Sequence, residues 1–324
     1  MDSSYISVVA RIIKNFFLTL RTKGLIVLGL AIKNYFQIIV YKKFFPFSFI
    51  KKNIFNYKMF LDPKDKGISR TLILFGKREL DHREILLNVL KKNMRIFDIG
   101  ANIGYYVLMQ RKCIGKDAKI VAFEPLQENV SLLRKNLNLN NDRTTIVIKS
   151  GVSNKSGFKQ FYPSSHSNLG SFNLDKQSNH QSEDKVRAKV YRLKHLFKKY
   201  YCPDLIRMDV EGHEIEILSD LTTFKIKKYP MICFETHISR YKKDLRMKNV
   251  LLKLFKIGYK IKYASSSSEY GTKLIANYGY NSINPLPIKT DDVKRNIYQN
   301  IDNNDAIELI CEKGGLRTIL LSTK

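Results

Sequence analysis

An open α/β fold is what the sequence predicts, and three observations carry that expectation. Residues 94–104, Met-Arg-Ile-Phe-Asp-Ile-Gly-Ala-Asn-Ile-Gly, join a short apolar run to a turn with glycines at 100 and 104 and an asparagine between them. Gly and Asn tolerate positive φ, so the chain can reverse sharply there, and residues 105–111 continue as a helix. A second apolar run, residues 119–124, ends in Glu124, about 25 residues past Asp98, where a βαβ unit places an acid against ribose hydroxyls. Third, strand-like and helix-like segments alternate from residue 95 onward, the pattern of a mostly parallel sheet. Strand, Gly-rich turn and helix N-terminus form a cradle for a nucleotide-type cofactor.

Spacing decides which cofactor. A dinucleotide fingerprint needs glycines at 100, 102 and 105, where this chain has Gly100, Asn102 and Tyr105. The Asp-x-Gly-x-Asn-x-Gly form instead resembles motif I of class I S-adenosylmethionine-dependent methyltransferases. Such a turn admits an amino-acid moiety and a ribose, and Asp98 can accept from an ammonium directly or through water. Asp98, Gly100, Asn102, Gly104 and Glu124 are the expected cofactor residues.

In chain order, residues 1–60 read as a basic, apolar, helical extension. They hold ten Lys/Arg and one acid. Ile6, Val9, Ile13, Phe16, Phe17 and Leu20 share a helical face. The uncharged stretch 24–32 is short of the roughly 20 residues that cross a bilayer, and Lys33 interrupts it. Basic residues punctuate the apolar segments and no small-residue cleavage site follows, unlike a signal peptide. Two readings stand: helices packed on the following domain or a partner, or an amphipathic segment on an anionic membrane. The expected location is cytoplasmic, with the second reading placing the protein on the inner face of the membrane. Residues 61–324 form the expected main domain.

Within it, residues 71–76 read as a strand and 81–90 as a helix capped by Asp81. Strands are expected at 95–99, 119–123, 144–149, 204–209, 229–235, 259–263 and 316–321. The helices between them fall at 105–112, 126–137, 193–200, 214–221 and 245–255. Residues 158–162 and 185–192 read as an inserted hairpin around a polar loop, and 265–304 as mostly loop.

The net charge of +28 admits nucleic acid, an anionic membrane or an acidic polymer as partner. No arginine stripe with interleaved aromatics appears, which disfavours nucleic acid. The four cysteines, Cys113, Cys202, Cys233 and Cys311, lack metal-ligand spacing and read as reduced thiols.

Residues 208–214, Met-Asp-Val-Glu-Gly-His-Glu, follow the fourth predicted strand, and Phe234-Glu235-Thr236-His237 the fifth. With residues 97–104 and Phe123-Glu124-Pro125, they resemble the FkbM family of methyltransferases over about residues 94–240. The resemblance implies a class I methyltransferase sheet of seven strands in order 3-2-1-4-5-7-6. It also implies S-adenosylmethionine as donor and a hydroxyl acceptor, often on a sugar. The chain departs from the family pattern at Tyr191-Arg192-Leu193-Lys194, where the family carries an acid.

Methylating an alcohol requires proton removal as the C–O bond forms. Candidate bases are Asp209, Glu211, His213 and His237. Asp209, Glu235 and His237 could also converge on Mg²⁺, completed by a sugar diol. An Asn-Pro-Pro-Tyr-like motif after the fourth strand and a Pro-Cys pair are both lacking, which argues against base methylation. The expected function is an S-adenosylmethionine-dependent O-methyltransferase acting on a saccharide, glycolipid or related small molecule. A nucleic-acid-binding protein or RNA methyltransferase, or a non-catalytic protein on a degenerate fold, is the alternative.

Overall fold

A computed structural model describes residues 14, 16–164, 166–167, 169–173, 185–241 and 246–323, without the side chain of Arg240. The expected helical face at residues 6–13 and the stretch 174–184 of the polar loop lie outside the described residues.

Eight strands form the central sheet: β1 Arg95–Ile99, β2 Lys119–Glu124, β3 Ile146–Lys149, β4 Leu205–Met208, β5 Met231–Glu235, β6 Lys260–Ser266, β7 Ile297–Gln299 and β8 Leu316–Ser322. Their order is β3-β2-β1-β4-β5-β8-β6-β7. The first seven positions reproduce the expected class I order, with β8 as its seventh strand. The correction is an eighth strand, β7, added antiparallel to the edge β6. Strands β1 to β5 run parallel and β8 antiparallel between β5 and β6.

Alternation along β1 explains why these residues make a central strand. Phe97 and Ile99 join Phe123, Ile206 and Met208 in one core layer. Ile96 joins Ile120, Ala122, Leu205 and Cys233 in the other. A strand buried on both faces reads as a continuous apolar run. The chain leaves β1 toward β2 and β3, then returns on the other side as β4. Open sheets bind ligands at such a reversal, at the carboxyl ends of the strands. Residues Gly157–Phe161 and Val186–Tyr191 pair antiparallel, as the inserted hairpin requires.

Several expectations are corrected. Residues 71–76 are not a strand: they end the helix Ile68–Phe75, stopped by Gly76 at φ 71°. Its buried residues Ile68, Leu72 and Ile73 recur at helical spacing, which a short apolar run does not reveal. The helix Leu80–Leu87 is not capped by Asp81, which is buried and ion-paired with Arg295 at 3.1 Å. The stretch 24–32 does not end at Lys33; Leu25–Phe44 is one 20-residue helix with its lysine on an exposed face. The last residues of the expected helical extension fold as a hairpin, Ile50–Ile54 with Tyr57–Leu61. Ile50, Ile54, Tyr57, Met59 and Leu61 are buried in the alternation a strand imposes. Residues 265–304 hold the helix Glu269–Asn277, the hairpin Ile288–Thr290 with Val293–Arg295, and β7.

Candidate active site

The turn after β1 is built on Gly100. Its φ is 76°, and a Cβ there would lie 2.1 Å from the Asp209 carbonyl oxygen. Only glycine lets this backbone press against the end of β4. The amides of Gly100 and Ala101 both donate to the Phe123 carbonyl, at 2.9 and 3.0 Å. The ends of β1, β2 and β4 are thus tied together around a cleft of about 730 Å³, counted with the open solvent at its mouth.

Three of the five expected cofactor residues, Gly100, Asn102 and Glu124, line this cleft. Asn102 sits at φ 48°, and its side chain donates to the Ser167 carbonyl at 2.8 Å. Glu124 accepts from the Asn102 amide at 2.9 Å, the Leu126 amide at 3.1 Å and Asn129 Nδ2 at 3.2 Å. Burial still pushes its carboxyl up to about 7 against those three donors.

The other two, Asp98 and Gly104, lie outside the residues that line the cleft. Asp98 is fully buried behind the turn and is not among the cleft's lining residues. Its carboxylate accepts from Gln110 Nε2 at 2.7 Å and lies 3.4 Å from Arg207 Nη1. Gly104 is a packing glycine: at φ 94°, a Cβ would fall 2.5 Å from Leu133 Cδ1 of the helix Gln127–Leu139.

Among the expected bases, Asp209 lines the cleft. Burial pushes its carboxyl up to about 6, opposed by Arg207 and reinforced by Glu211. His213 is turned away. It is buried beside Phe172, its Nε2 is 3.1 Å from Ser153 Oγ, and burial drives it down to about 3. It makes a poor general base at neutral pH. The sequence neighbours of Asp209 did not reveal this, because the helix that starts after His213 sends its ring under the inserted hairpin.

Glu211 and His237 form a pair beside Asp209. One side-chain oxygen or nitrogen from each of the three lies within 4.8 Å of the other two. His237 Nε2 is 3.3 Å from Glu211 Oε2, and Nδ1 is 3.2 Å from Glu214 Oε1. Burial alone would lower the imidazole, but the carboxylates of Glu214 and Glu211 hold it well above its ordinary range. The group that converges is Asp209, Glu211 and His237, with Glu235 outside it. Glu235 faces Arg317 at 2.8 Å, and burial pushes it up to about 8. The Mg²⁺ expectation on Asp209, Glu235 and His237 is not supported.

Sequence reading missed Arg78, Glu79, Tyr106 and Arg207, all of which line the cleft. Arg207 is the hub. Nη1 reaches Asp98 and the Gly100 carbonyl at 3.4 Å, Nη2 reaches Asp209 at 3.2 Å, and the guanidinium lies 4.1 Å from the Tyr106 ring centre. Glu79 adopts φ 47° and accepts from Tyr106 Oη at 2.9 Å. Burial would raise its carboxyl, yet Arg78 beside it and Arg317 hold it below the usual range. Glu79 is thus ionised and paired with Arg78 on the cleft wall. An arginine inside an apolar strand was the available signal for Arg207; nothing marked Glu79.

An acid-bearing turn at the switch point of a 3-2-1-4-5-7-6 sheet, with a second acid at the end of β2, defines a class I methyltransferase. The model of the methyltransferase FkbM domain matches residues 98–261, and the chain belongs to that family. It is an S-adenosylmethionine-dependent methyltransferase. The hexuronic acid methyltransferase AglP of Haloferax volcanii is 27% identical over 172 residues, covering 52% of this chain and 66% of AglP. The match thus spans just under two thirds of that relative. Methyltransferase sdnD of Sordaria araneosa is 29% identical over 184 residues, covering 47% of this chain and 70% of sdnD. The crystal structure of methyltransferase FkbM from Methylobacillus flagellatus superposes with a TM-score of 0.38 at 14% identity, over 71% of this chain and 54% of that one.

The donor set fits the cofactor. Glycine at 100 lets the turn close against the end of β4 at the cleft wall, and Glu124 offers carboxylate lone pairs for ribose hydroxyls. If Glu124 accepts from the ribose, its ionised form binds best. Affinity should then rise with pH through about 7 and level off above it, about tenfold in all between pH 6 and 8. Methylthioadenosine isolates the effect because it has the ribose and lacks the amino acid. A flat profile for that probe would remove Glu124 from the ribose contact.

Proposed function

We propose that the methyl acceptor is a hydroxyl group of a saccharide or of a saccharide-bearing small molecule, with Asp209 as general base. The observation that carries this reading is the Asp209 carboxylate on the cleft wall next to the Gly100 turn, 3.2 Å from Arg207 Nη2, where burial pushes it up to about 6. Such a group is mostly ionised at neutral pH yet still basic enough to take a proton, which is where general bases are tuned. The family's AglP relative acts, by its name, on a hexuronic acid, in keeping with a sugar acceptor.

In the proposed step the acceptor oxygen forms a bond to the donor's methyl carbon as the S–C bond breaks. The hydroxyl proton passes to Asp209, and S-adenosylhomocysteine leaves. Arg207 holds the Asp209 carboxylate in place. The bound cofactor supplies the electrophilic methyl group.

A uronic acid also offers a carboxylate, so the test must read the position of the label. The full chain is incubated with methyl-labelled S-adenosylmethionine and a panel of hexoses and hexuronic acids, free and lipid-linked. The expected product carries an alkali-stable methyl ether. Label released by mild alkali would mean a methyl ester and overturn the hydroxyl reading.

A further inference from the structure

We infer that the outer face of the helix Leu25–Phe44, with the turn that follows it, docks on an anionic lipid bilayer with the helix lying in the plane of the interface. The helix has two different sides. Leu28, Ala31 and Ile38 are buried against the domain. Asn34 Nδ2 donates to the Leu74 carbonyl at 3.2 Å and Asn34 Oδ1 accepts from Lys52 Nζ at 2.7 Å, while Arg70 stacks on Tyr35 at 5.2 Å. The helix is long and apolar enough to cross a membrane. Anchored on the helix Ile68–Phe75 through Asn34 and Tyr35, and on the hairpin through Lys52, it lies flat in this reading and does not cross.

The other side is apolar and uncovered. Leu25 is 73% exposed, Ile26 83%, Phe36 65% and, beyond the helix, Phe47 92%, with Leu30, Val40, Phe44 and Phe45 also exposed. A soluble monomer rarely shows a contiguous apolar patch of this kind. Charge selects the occupant. Lys33, Lys42, Lys43 and Lys51 are exposed around the patch, Lys43 lies 5.4 Å from the Phe44 ring and Lys64 5.4 Å from the Phe47 ring. The sequence holds no Asp or Glu from residue 3 to residue 61. A second copy would bring like charges together, whereas anionic headgroups complement lysines while acyl chains take the aromatic and aliphatic side chains. Ile68, which opens the helix that carries this one, also lines the active-site cleft, so docking sets the cleft close to the membrane.

Co-sedimentation of the full chain with vesicles tests this. Binding is expected to phosphatidylcholine vesicles containing phosphatidylserine and to be far weaker with phosphatidylcholine alone, declining as salt rises. Lys42→Gln with Lys43→Gln should lower partitioning about 25-fold, roughly fivefold per lysine. Phe36→Ser with Phe47→Ser should lower it at every salt concentration. Should the double serine variant melt at a lower temperature, Phe47→Ser alone replaces it. Equal binding to both vesicle types, or partitioning unmoved by either set, overturns the proposal. So do a soluble dimer that Phe36→Ser splits and a protein that alkaline carbonate leaves embedded in the bilayer.

Discussion

Asp209→Asn should lower turnover by about 10²–10⁴-fold, the usual yield of general-base catalysis, while leaving cofactor affinity nearly unchanged. The amide keeps the shape of the side chain and its place beside Arg207 Nη2, so the turn against Gly100 is retained. What is lost is the lone pair that takes the hydroxyl proton. Steady-state kinetics against binding of S-adenosylhomocysteine separates the two effects. The variant also discriminates acceptors: a carboxylate acceptor needs no deprotonation, and methylating one would leave Asp209→Asn nearly as active as wild type. Near-normal turnover on a sugar hydroxyl would remove Asp209 from the proton-transfer role. The pH profile should follow the same group, with activity falling as Asp209 protonates below about 6.

Arg207→Met should destabilise the protein by about 3–5 kcal/mol, the penalty for breaking a buried ion pair from one side. Methionine fills much of the volume of the aliphatic stem but leaves Asp98, fully buried, with Gln110 as its remaining side-chain donor. Asp209 and the Gly100 carbonyl lose the same cation. Combining Arg207→Met with Asp98→Asn should recover part of the loss, because the uncompensated charge is gone. Denaturant unfolding of the single and double variants measures both. A loss below about 1 kcal/mol, or no recovery in the double variant, would mean that Arg207 is not the link between the two strand ends.

What the sequence revealed and what it hid divide along a physical line. Runs such as residues 95–99 and 205–208, buried on both faces, announce themselves, and so does the turn at Gly100 that only glycine can make. Four short motifs at strand ends carried the family resemblance, and the order it implies holds as far as the seventh strand. Residues 71–76 misled because a run of four apolar residues, 72–75, fits a strand or a buried helix equally well. Lys33 misled because a charge in an apolar segment can sit on an exposed face of one continuous helix. Side-chain direction was the larger gap. Asp98 and Glu124 carry the same chemistry at equivalent strand ends, yet one points back into the sheet toward Arg207 and the other into the cleft. His213 lies four residues from Asp209 and ends up under the inserted hairpin. Glu79 enters the site from a segment with no recognisable pattern, brought there by the helix Leu80–Leu87 packing against the sheet.

The central claim is that the cleft between the Gly100 turn and Glu124 seats the methyl donor. Calorimetric titration of S-adenosylhomocysteine into wild type and Glu124→Gln at pH 8 reaches it most directly. One molecule should bind per wild-type chain. The variant should bind about tenfold more weakly or worse, since a charged acceptor contributes about 1.5–3 kcal/mol. No saturable binding to wild type, or equal affinity for both proteins, would contradict the account.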